Sequence, residues 1–333
     1  MELLNVKTKR WPGYNLDANS SMQTIEVDCL KANEFDEYIH SSNDYFIRKH
    51  LPRLSDQLKG LERVPPLFEL LHGPDAINVL AMVVSDPEVA RSLAVLQKAG
   101  RMMRREQPKI KKMVELFHKY GYYTYPMVGA MPPFDLVSHQ LRGMTGTMID
   151  MYRQPDKLLE LIDLILKEEI AHTPLVPDEN GEIRIFMTNT RGSDDFLGQK
   201  QFDTFYWPSF KKLVTYLCDH GATPHIFFEG HFDSRLEYLL DLPKGKFVAR
   251  FDATDIFRAK EVLKGHCCID GNVPSSLLQA GSKEDVIAYC KKLIDVCGKD
   301  GGYTLSPRSS IDHVKPENLK AMIDFTKEYG VYR

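Results

Sequence analysis

The sequence predicts an α/β fold in which a parallel sheet is covered by helices. From about residue 120 onward, short apolar runs rich in β-forming residues alternate with amphipathic helical segments, which is typical of strands joined by helical crossovers. The runs are continuously apolar rather than alternating in polarity, as expected of strands covered on both faces. Six runs show this pattern, at residues 122–128, 183–187, 225–228, 247–251, 267–269 and 303–305.

The segments between these runs carry the signals of helices. Behind Pro155, leucine and isoleucine recur at helical spacing through residues 156–170, with charged residues on the other face. Ser282 stands three residues before Asp285, which predicts a capped start for the helix that follows. Three glycines are predicted to end helices in a left-handed conformation: Gly221, Gly298 and Gly330.

The first 120 residues are less regular. Residues 22–30 form one further strand candidate, and residues 40–118 are predicted to be mainly helical. With this candidate the chain has seven strands, one fewer than a closed eight-stranded barrel needs. We therefore expect one domain over residues 1–333, in which an irregular, mainly helical part (1–120) precedes regular β/α units (121–333). No glycine-rich phosphate loop follows any strand candidate, which argues against a nucleotide-binding fold.

Composition excludes several classes of partner. A chain of 333 residues with 43% hydrophobic content can bury a large core. The formal net charge of −3, without a long run of like charge, gives no reason to expect a nucleic acid or a membrane as a partner. The amino-terminal segment lacks the apolar stretch of a signal peptide, and no segment approaches the roughly 18 apolar residues of a membrane span. We expect a soluble, cytoplasmic protein.

Two carboxylates are the leading candidates for catalysis. In a barrel, the residues just past the strands meet at one mouth. Glu229 directly follows the run 225–228, where a carboxylate needs a metal, a cation or a proton to offset desolvation. We interpret it as a general acid or a metal ligand, with a salt-bridged carboxylate as the alternative. Asp252 holds the equivalent place after the next strand, where it could accept a proton or simply start a helix.

Donor atoms elsewhere in the sequence add a metal site as a hypothesis. His231 lies two residues after Glu229, and zinc accepts such nitrogen and oxygen ligands. The six cysteines are too sparse for a disulfide framework, so we expect reduced thiols. Cys268 is the candidate thiol because a strand points one of two adjacent cysteines inward, although buried core filler is the alternative. Glu229, His231 and Cys268 are the candidate zinc ligands.

Three polar residues are candidates for substrate binding. Asn272 follows the strand candidate 267–269 and could offer its amide to a substrate or stabilise a turn. Arg308 follows the last strand candidate, where it could clamp a carboxylate or a phosphate. Asp194 lies in the loop 190–198, which could form a lid.

Arg142 lies in a largely apolar segment and is expected to have a carboxylate partner. Asp135 and Asp150 are the two candidates for that partner in the same segment. We interpret these three residues as mainly architectural.

Four segments, taken together, resemble one enzyme superfamily. They are GAMPPFDLVSHQLRGMTGTMIDMYRQPDKL (129–158), FDTFYWPSFKKL (202–213), CIDGNVPSSLLQAGSKEDV (268–286) and GGYTLSPRSSIDHVKPENLKAM (301–322). The chain resembles the uroporphyrinogen decarboxylase superfamily over roughly residues 10–333, which implies a TIM-type (β/α)8 barrel. Members of this superfamily carry several tens of residues, including the first strand, ahead of the segment that residues 9–27 resemble. We therefore expect the first strand to be missing, through a truncated gene model or a natural shortening.

Within the superfamily, the chain is more similar to the methyltransferase relatives than to the haem-pathway decarboxylase, whose arginine-rich opening loop it lacks. The zinc ligands of the thiol-activating methyltransferases align with Phe227, Glu229 and either Arg308 or Ser309, so all three are changed. The resemblance implies a methyltransferase of a corrinoid-dependent demethylase system, which takes a methyl group from a small donor and passes it to a separate corrinoid protein.

Other functions and assemblies stay open at this stage. A decarboxylase of the uroporphyrinogen type would need several cations at the mouth, and only Arg191, Arg250 and Arg308 are available. A non-catalytic partner subunit is a third alternative. The oligomeric state, including a homo-oligomer, is not fixed by the sequence.

Overall fold

The computed structural model describes residues 3–71, 75–122, 129–178, 180–311 and 313–331. Contacts divide the chain into two compact units, Met1–Thr124 with Leu136–Leu164 and Tyr125–Asp135 with Ile165–Arg333. The first unit is mainly helical and the second contains the parallel sheet. The expectation of a single domain stays a prediction.

Seven strands lie in the described residues. They are β1 (Lys9–Arg10), β2 (Gln23–Thr24), β3 (Ile183–Asn189), β4 (Ala222–Phe228), β5 (Val248–Phe251), β6 (Cys268–Asp270) and β7 (Tyr303–Thr304). Strands β3 to β7 form one parallel sheet in which every strand pairs with its neighbour in sequence. This order, with helical segments in the connections, is that of successive β/α units and confirms the predicted α/β fold class.

Helices occupy much of the remaining described chain. The α-helices are α1 (Phe35–His40), α2 (Ser42–Tyr45), α3 (Leu51–Leu54), α4 (Ala76–Ser85), α5 (Pro87–Lys119), α6 (Pro133–Leu136), α7 (Met144–Arg153), α8 (Pro155–His172), α9 (Gln199–Gln201), α10 (Trp207–Asp219), α11 (Ile256–Leu263), α12 (Ser275–Ala280), α13 (Lys283–Cys297) and α14 (Pro316–Tyr329). Short 3-10 segments span Asp56–Arg63, Leu67–Leu71 and Asp233–Asp241, and π-helical turns span Phe46–His50, Val137–Arg142 and Phe202–Tyr206. No helix in the described ranges is both long enough and apolar enough to cross a membrane.

The two faces of the parallel sheet differ in character because side chains alternate along each strand. One face is apolar and almost inaccessible to solvent, and its members are Ile185, Met187, Ile226, Phe228, Ala249, Phe251 and Ile269. This face packs on helices, as the rings of Phe228 and Phe210 in α10 show with their centroids 6.4 Å apart. The opposite face, which faces the axis in a barrel, carries polar groups.

Five of the six predicted strands are confirmed, with shifts of one to three residues at several ends. The candidate 122–128 lies outside the described residues apart from Tyr122, which is not in a strand. Gly129, just after it, passes against β3 so closely that a Cβ atom would lie 1.7 Å from the carbonyl oxygen of Phe186. Only glycine fits such an approach.

The predicted strand over residues 22–30 is wrong in extent and in partner. Only Gln23–Thr24 is extended, and it pairs antiparallel with Lys9–Arg10 as a separate two-stranded hairpin. The later part of the segment is not a strand and is held by side-chain contacts: Glu26 accepts a hydrogen bond from the backbone N–H of Met144 at 2.7 Å. Contacts made by the acidic residues outweighed the strand propensity of their apolar neighbours.

The predicted helix ends are correct in part. Ser282 and Asp285 form the expected capping box at the start of α13, and Gly221 has the expected left-handed conformation, with φ of +81°. Gly298 and Gly330 do not, because φ is −74° at Gly298 and −84° at Gly330. The N–H of Gly298 still bonds to the carbonyl of Ile294 at 3.0 Å, so the backbone turns left-handed only at the residues that follow.

Candidate active site

The register of the strands places three candidate residues at the same height along the strand direction. Phe228 pairs with Phe251, so Glu229 and Asp252 follow two neighbouring strands at equivalent positions. Arg250 pairs with Asp270, which places Asn272 level with Asp252. By the alternation along the strands, these residues continue the polar face of the sheet at its carboxyl end.

Glu229 is the half-buried carboxylate of this level. Its backbone N–H bonds to the carbonyl of Asn189 at 3.0 Å, and its Oε2 accepts a hydrogen bond from Thr190 Oγ1 at 3.0 Å. Burial raises the pKa of Glu229, and the hydrogen bond from Thr190 opposes this rise in part. The negative charge of Asp252 adds to the rise, and the positive charge of Arg191 acts against it. The surroundings therefore favour the protonated form, as a general acid requires.

Asp252 has a different environment from Glu229. Its Oδ1 accepts a hydrogen bond from Arg308 Nε at 2.9 Å, and its Oδ2 accepts one from the backbone N–H of Gly230 at 3.1 Å. Both interactions stabilise the ionised carboxylate. Two neighbouring carboxyl groups, one half-buried and the other paired with a guanidinium, are an arrangement by which enzymes separate acid and base roles.

A buried carboxyl supports Glu229 from the side. Asp135 accepts hydrogen bonds from the backbone N–H groups of Thr190 (3.0 Å) and Arg191 (2.8 Å) and from the hydroxyl of Tyr206 (3.2 Å). Because it is completely buried, the pKa of Asp135 is raised to about 7. Asp135 thus holds the backbone of Thr190, whose side chain in turn contacts Glu229.

The loops after β3 and β4 are tied to each other. Asp195 accepts the backbone N–H of His231 at 3.0 Å, and its Oδ1 lies 3.2 Å from Nδ1 of the same histidine, on the exposed side of the loop. Asp194 accepts a hydrogen bond from the Ser234 hydroxyl at 2.6 Å, and its Oδ1 lies 3.3 Å from Nε of Arg235. Both carboxylates of the predicted lid therefore make loop-to-loop contacts.

Asn272 also ties loops together. Its side-chain amide donates to the backbone carbonyls of Asp252 (3.1 Å) and Thr254 (3.0 Å). The amide nitrogen that a substrate could accept from is therefore engaged. This geometry favours the turn-stabilising alternative for Asn272.

The structure does not bring the three candidate zinc ligands together. Cys268 opens β6, whereas Glu229 lies beyond the end of β4, which separates them by four residues, or about 13 Å along the strand direction. His231 is engaged with Asp195 at the surface. Burial also raises the pKa of the Cys268 thiol, which disfavours the thiolate. No group of three or more His, Cys, Asp or Glu side chains suited to a metal occurs within the described ranges.

A polar cluster lies one level below the mouth on the same face. His225 Nε2 lies 3.0 Å from Asp270 Oδ2, and Ser306 donates to Asp270 Oδ1 at 2.5 Å. The guanidinium of Arg250 lies over the ring of Phe227, 4.8 Å from its centroid, and donates to the carbonyl of Pro307. The face beneath Glu229 is thus polar and internally hydrogen-bonded.

Two features of the site differ from expectation. Arg142 pairs with Asp150 at 2.6 Å and with Asp28 at 2.9 Å, so the Asp135 alternative is wrong and Asp135 belongs to the site instead. Sequence reasoning missed Thr190 because it ended the strand at residue 187, two residues before the observed end. With the correct end, Thr190 follows β3 as Glu229 follows β4.

Comparison with known families identifies this arrangement of strands. The family model for uroporphyrinogen decarboxylase matches residues 75–329. The chain belongs to the uroporphyrinogen decarboxylase family. Membership implies a TIM-type barrel as the fold. In the described residues the sheet of that barrel is open, with five strands.

Solved structures support the same fold. Twenty-three chains of solved structures match, and one of them is a methyltransferase from Methanosarcina mazei with a TM-score of 0.50 and 15% sequence identity. The match covers 68% of this chain and 65% of that structure, which is less than two thirds of its length. No curated protein matches the sequence. The likeness to the solved structure concerns the fold.

Proposed function

We propose that this protein is a methyltransferase of a corrinoid-dependent system. It would bind a small methyl donor at the carboxyl ends of the strands and pass the methyl group to a corrinoid carried by a separate protein. Membership in the uroporphyrinogen decarboxylase family supports an enzyme, and the fold is shared with a protein named as a methyltransferase. The observation that carries the proposal is the raised pKa of Glu229 beside the ion-paired Asp252.

Methyl transfer requires a proton donor near the oxygen, nitrogen or sulfur atom that loses the methyl group. A methyl group leaves its oxygen, nitrogen or sulfur atom without the bonding electron pair, which stays on that atom. Protonation of the atom lowers the barrier to cleavage. A reduced corrinoid supplies the nucleophile that accepts the methyl group. Glu229 would give its proton to the leaving atom, and Asp252 would stay paired with Arg308 during the reaction.

A resident zinc ion does not fit the residues present. Zinc sites need three or four convergent ligands at about 2.0–2.3 Å. Glu229, His231 and Cys268 do not converge, and no other suitable cluster exists in the described part of the chain. We therefore route no step through zinc and assign the activation of the donor to Glu229.

The decarboxylase alternative requires free cations to bind a polycarboxylate. Arg308 is engaged with Asp252, and Arg250 is engaged with Phe227 and Pro307. Arg191 lies over the ring of Phe196, 4.7 Å from its centroid, and is buried. These contacts favour the methyltransferase over the decarboxylase.

A methyl-transfer assay with free reduced cobalamin tests the proposal without the unknown partner protein. The donors to be compared are small methyl ethers, methylamines and methyl thioethers, and the consumption of reduced cobalamin is followed by its visible spectrum. We expect enzyme-dependent consumption with one donor class. In parallel, the protein is incubated with uroporphyrinogen and released CO2 is measured. Release of CO2 without methyl transfer from any donor would overturn the proposal in favour of the decarboxylase.

A further inference from the structure

Helix α5 carries an exposed apolar stripe over its carboxyl-terminal half. Its members are Met102, Met103, Ile110, Met113, Leu116 and Phe117, whose exposed fractions range from 41% to 70%. At 3.6 residues per turn they fall within an arc of roughly 140°. Glu106, the acidic residue on this arc, is paired with Lys109 at 2.7 Å.

The same face of α5 is buried at the start of the helix. Val89 and Ser92 are almost inaccessible, and Gly60 in the 3-10 segment Asp56–Arg63 approaches the backbone of Glu88 so closely that a Cβ atom there would lie 2.1 Å from its carbonyl oxygen. The exposed stripe therefore continues a face that is already used for packing. Such a stripe in water costs free energy unless something covers it.

Helix α4 adds a second exposed apolar surface beside α5, which it contacts. Its ten residues, AINVLAMVVS, include no charged side chain and none that is buried. Ile77 is 84% exposed and Met82 is 66% exposed. A helix that is apolar all round is normally found in a core or against lipid.

The charges of α5 select the kind of partner. The helix has nine basic and three acidic residues, a net charge of +6, so the remaining chain carries −9 to give the total of −3. On the helical wheel, Arg105 and Lys112 lie along one edge of the apolar stripe, whereas Lys109 lies within it, paired with Glu106. A net charge counted over the whole chain conceals this segregation.

A second copy of the chain is a poor occupant for this stripe. Two antiparallel copies of α5 related by a two-fold axis would set the same edge of each helix side by side. Arg105 and Lys112 of each copy would then lie beside the same basic edge of the other copy, and like charges in such proximity are destabilising. An anionic partner gains from the same cations.

We propose that α5 and α4 form a peripheral binding site for an anionic lipid surface. Basic residues beside an apolar stripe are the combination with which amphipathic helices lie in the headgroup region. The apolar side chains would enter the interface, while the cations at the edge would contact lipid phosphates. The inference is independent of the methyl-transfer activity and departs from the expectation that no membrane takes part.

Vesicle co-sedimentation of the full chain tests this site. Vesicles of phosphatidylcholine alone are compared with vesicles of phosphatidylcholine mixed with phosphatidylglycerol. We expect binding to the mixed vesicles only, with an affinity that falls as salt is added, because surface charges are screened. The variant Arg105→Gln/Lys112→Gln should bind roughly 30-fold more weakly, at about fivefold for each cation removed.

A second variant addresses the apolar stripe. Met103→Gln/Ile110→Gln replaces side chains that are 70% and 55% exposed, so its melting temperature should match that of the parent protein, and its vesicle binding should fall by about tenfold or more. Val176→Gln, at a residue 72% exposed in the other compact unit, is the matched control and should bind normally. The proposal is overturned if the protein binds neither kind of vesicle, binds both equally, or binds the mixed vesicles unaffected by the stripe variant. Loss of self-association in that variant without vesicle binding would assign the stripe to a second copy.

Discussion

At the scale of single residues, the site rests on two carboxyl groups with opposite surroundings. Asp252 accepts hydrogen bonds from Arg308 and from a backbone N–H group, whereas Glu229 accepts one from the Thr190 hydroxyl in a half-buried position. Burial and the charge of Asp252 raise the pKa of Glu229. The difference between the two follows from what surrounds each carboxyl group, since the groups themselves are chemically alike.

Thr190 sets the pKa of Glu229 by stabilising its charged form. Thr190→Val removes the donor to Oε2, so the pKa of Glu229 should rise further. The alkaline limb of the pH profile of methyl transfer should shift upward with it. Thr190→Ser keeps the hydroxyl and should restore the parent profile. An unshifted profile in the valine variant would show that this contact does not tune Glu229.

Asp135 should make the free energy of unfolding depend on pH. Its pKa is about 7 in the folded protein, against roughly 3.9 in the unfolded chain. Between these values the folded state binds more protons, so the free energy of unfolding should fall as the pH rises from about 4 to about 7. Denaturant unfolding at several pH values measures the slope.

The control for this slope is Asp135→Asn, which cannot titrate. The variant should be less stable overall, because its amide places a donor where the carboxyl accepted backbone N–H groups. Its stability should nevertheless vary less with pH over the same window. An identical slope in both proteins would remove Asp135 as the source.

The sequence could predict Glu229 and Asp252 because both directly follow strands. It could not predict Thr190, since the strand before it was ended too early, nor the role of Asp135. Two carboxylates lay near Arg142 in the sequence, and only tertiary packing decides which of them is the partner. Pairing across a fold is not encoded in local spacing.

At the scale of secondary-structure elements, the capping box of α13 is a local device that the sequence predicted correctly. Ser282 Oγ accepts the N–H of Asp285 at 3.1 Å, and the Asp285 carboxylate accepts the N–H of Ser282 at 3.1 Å. Ser282→Ala should lower the free energy of unfolding by about 1 kcal/mol, whereas Ser282→Thr should keep most of the stabilisation that the cap provides. Equal losses in both variants would contradict the capping role.

The close approach of Gly129 to β3 gives a second prediction at this scale. Gly129→Ala would place a Cβ atom 1.7 Å from the carbonyl oxygen of Phe186, so the strand or the chain beside it must move. We expect a loss of about 2 kcal/mol or more in the free energy of unfolding. Gly100→Ala in α5, where only the end of the Arg104 side chain lies within 3.9 Å, is the matched control. It should be neutral or stabilising by about 0.5–1 kcal/mol.

Helices and strands were predicted correctly where their local sequence patterns were strong. They were missed where tertiary contacts determine the backbone conformation. The strands of the parallel sheet were predicted correctly, because their short apolar runs are a strong local pattern. The segment 22–30 alternates apolar and acidic residues, and the contacts of its acidic side chains limited the strand to two residues. Gly298 and Gly330 do lie at the ends of α13 and α14, but neither has the predicted left-handed conformation.

At the scale of the whole molecule, the family and the fold were predicted from sequence segments and confirmed by the family match and the parallel sheet. The identity of the methyl donor and the partner protein depends on contacts that neither the sequence nor the sheet specifies. Charge segregation is likewise a property of the folded chain, because a helix gathers residues three and four apart into an apolar stripe with a basic edge. The peripheral site on α4 and α5 follows from this arrangement.

The pH dependence of methyl transfer to reduced cobalamin, compared between the parent protein and Glu229→Gln, tests the central proposal most directly. The parent rate should fall as the pH rises through the pKa of Glu229, since the acid form donates the proton. Glu229→Gln should lose about 100-fold or more in rate together with this pH dependence, while its melting temperature stays close to that of the parent protein. An unchanged rate and profile in Glu229→Gln would contradict the assignment of Glu229 as the acid.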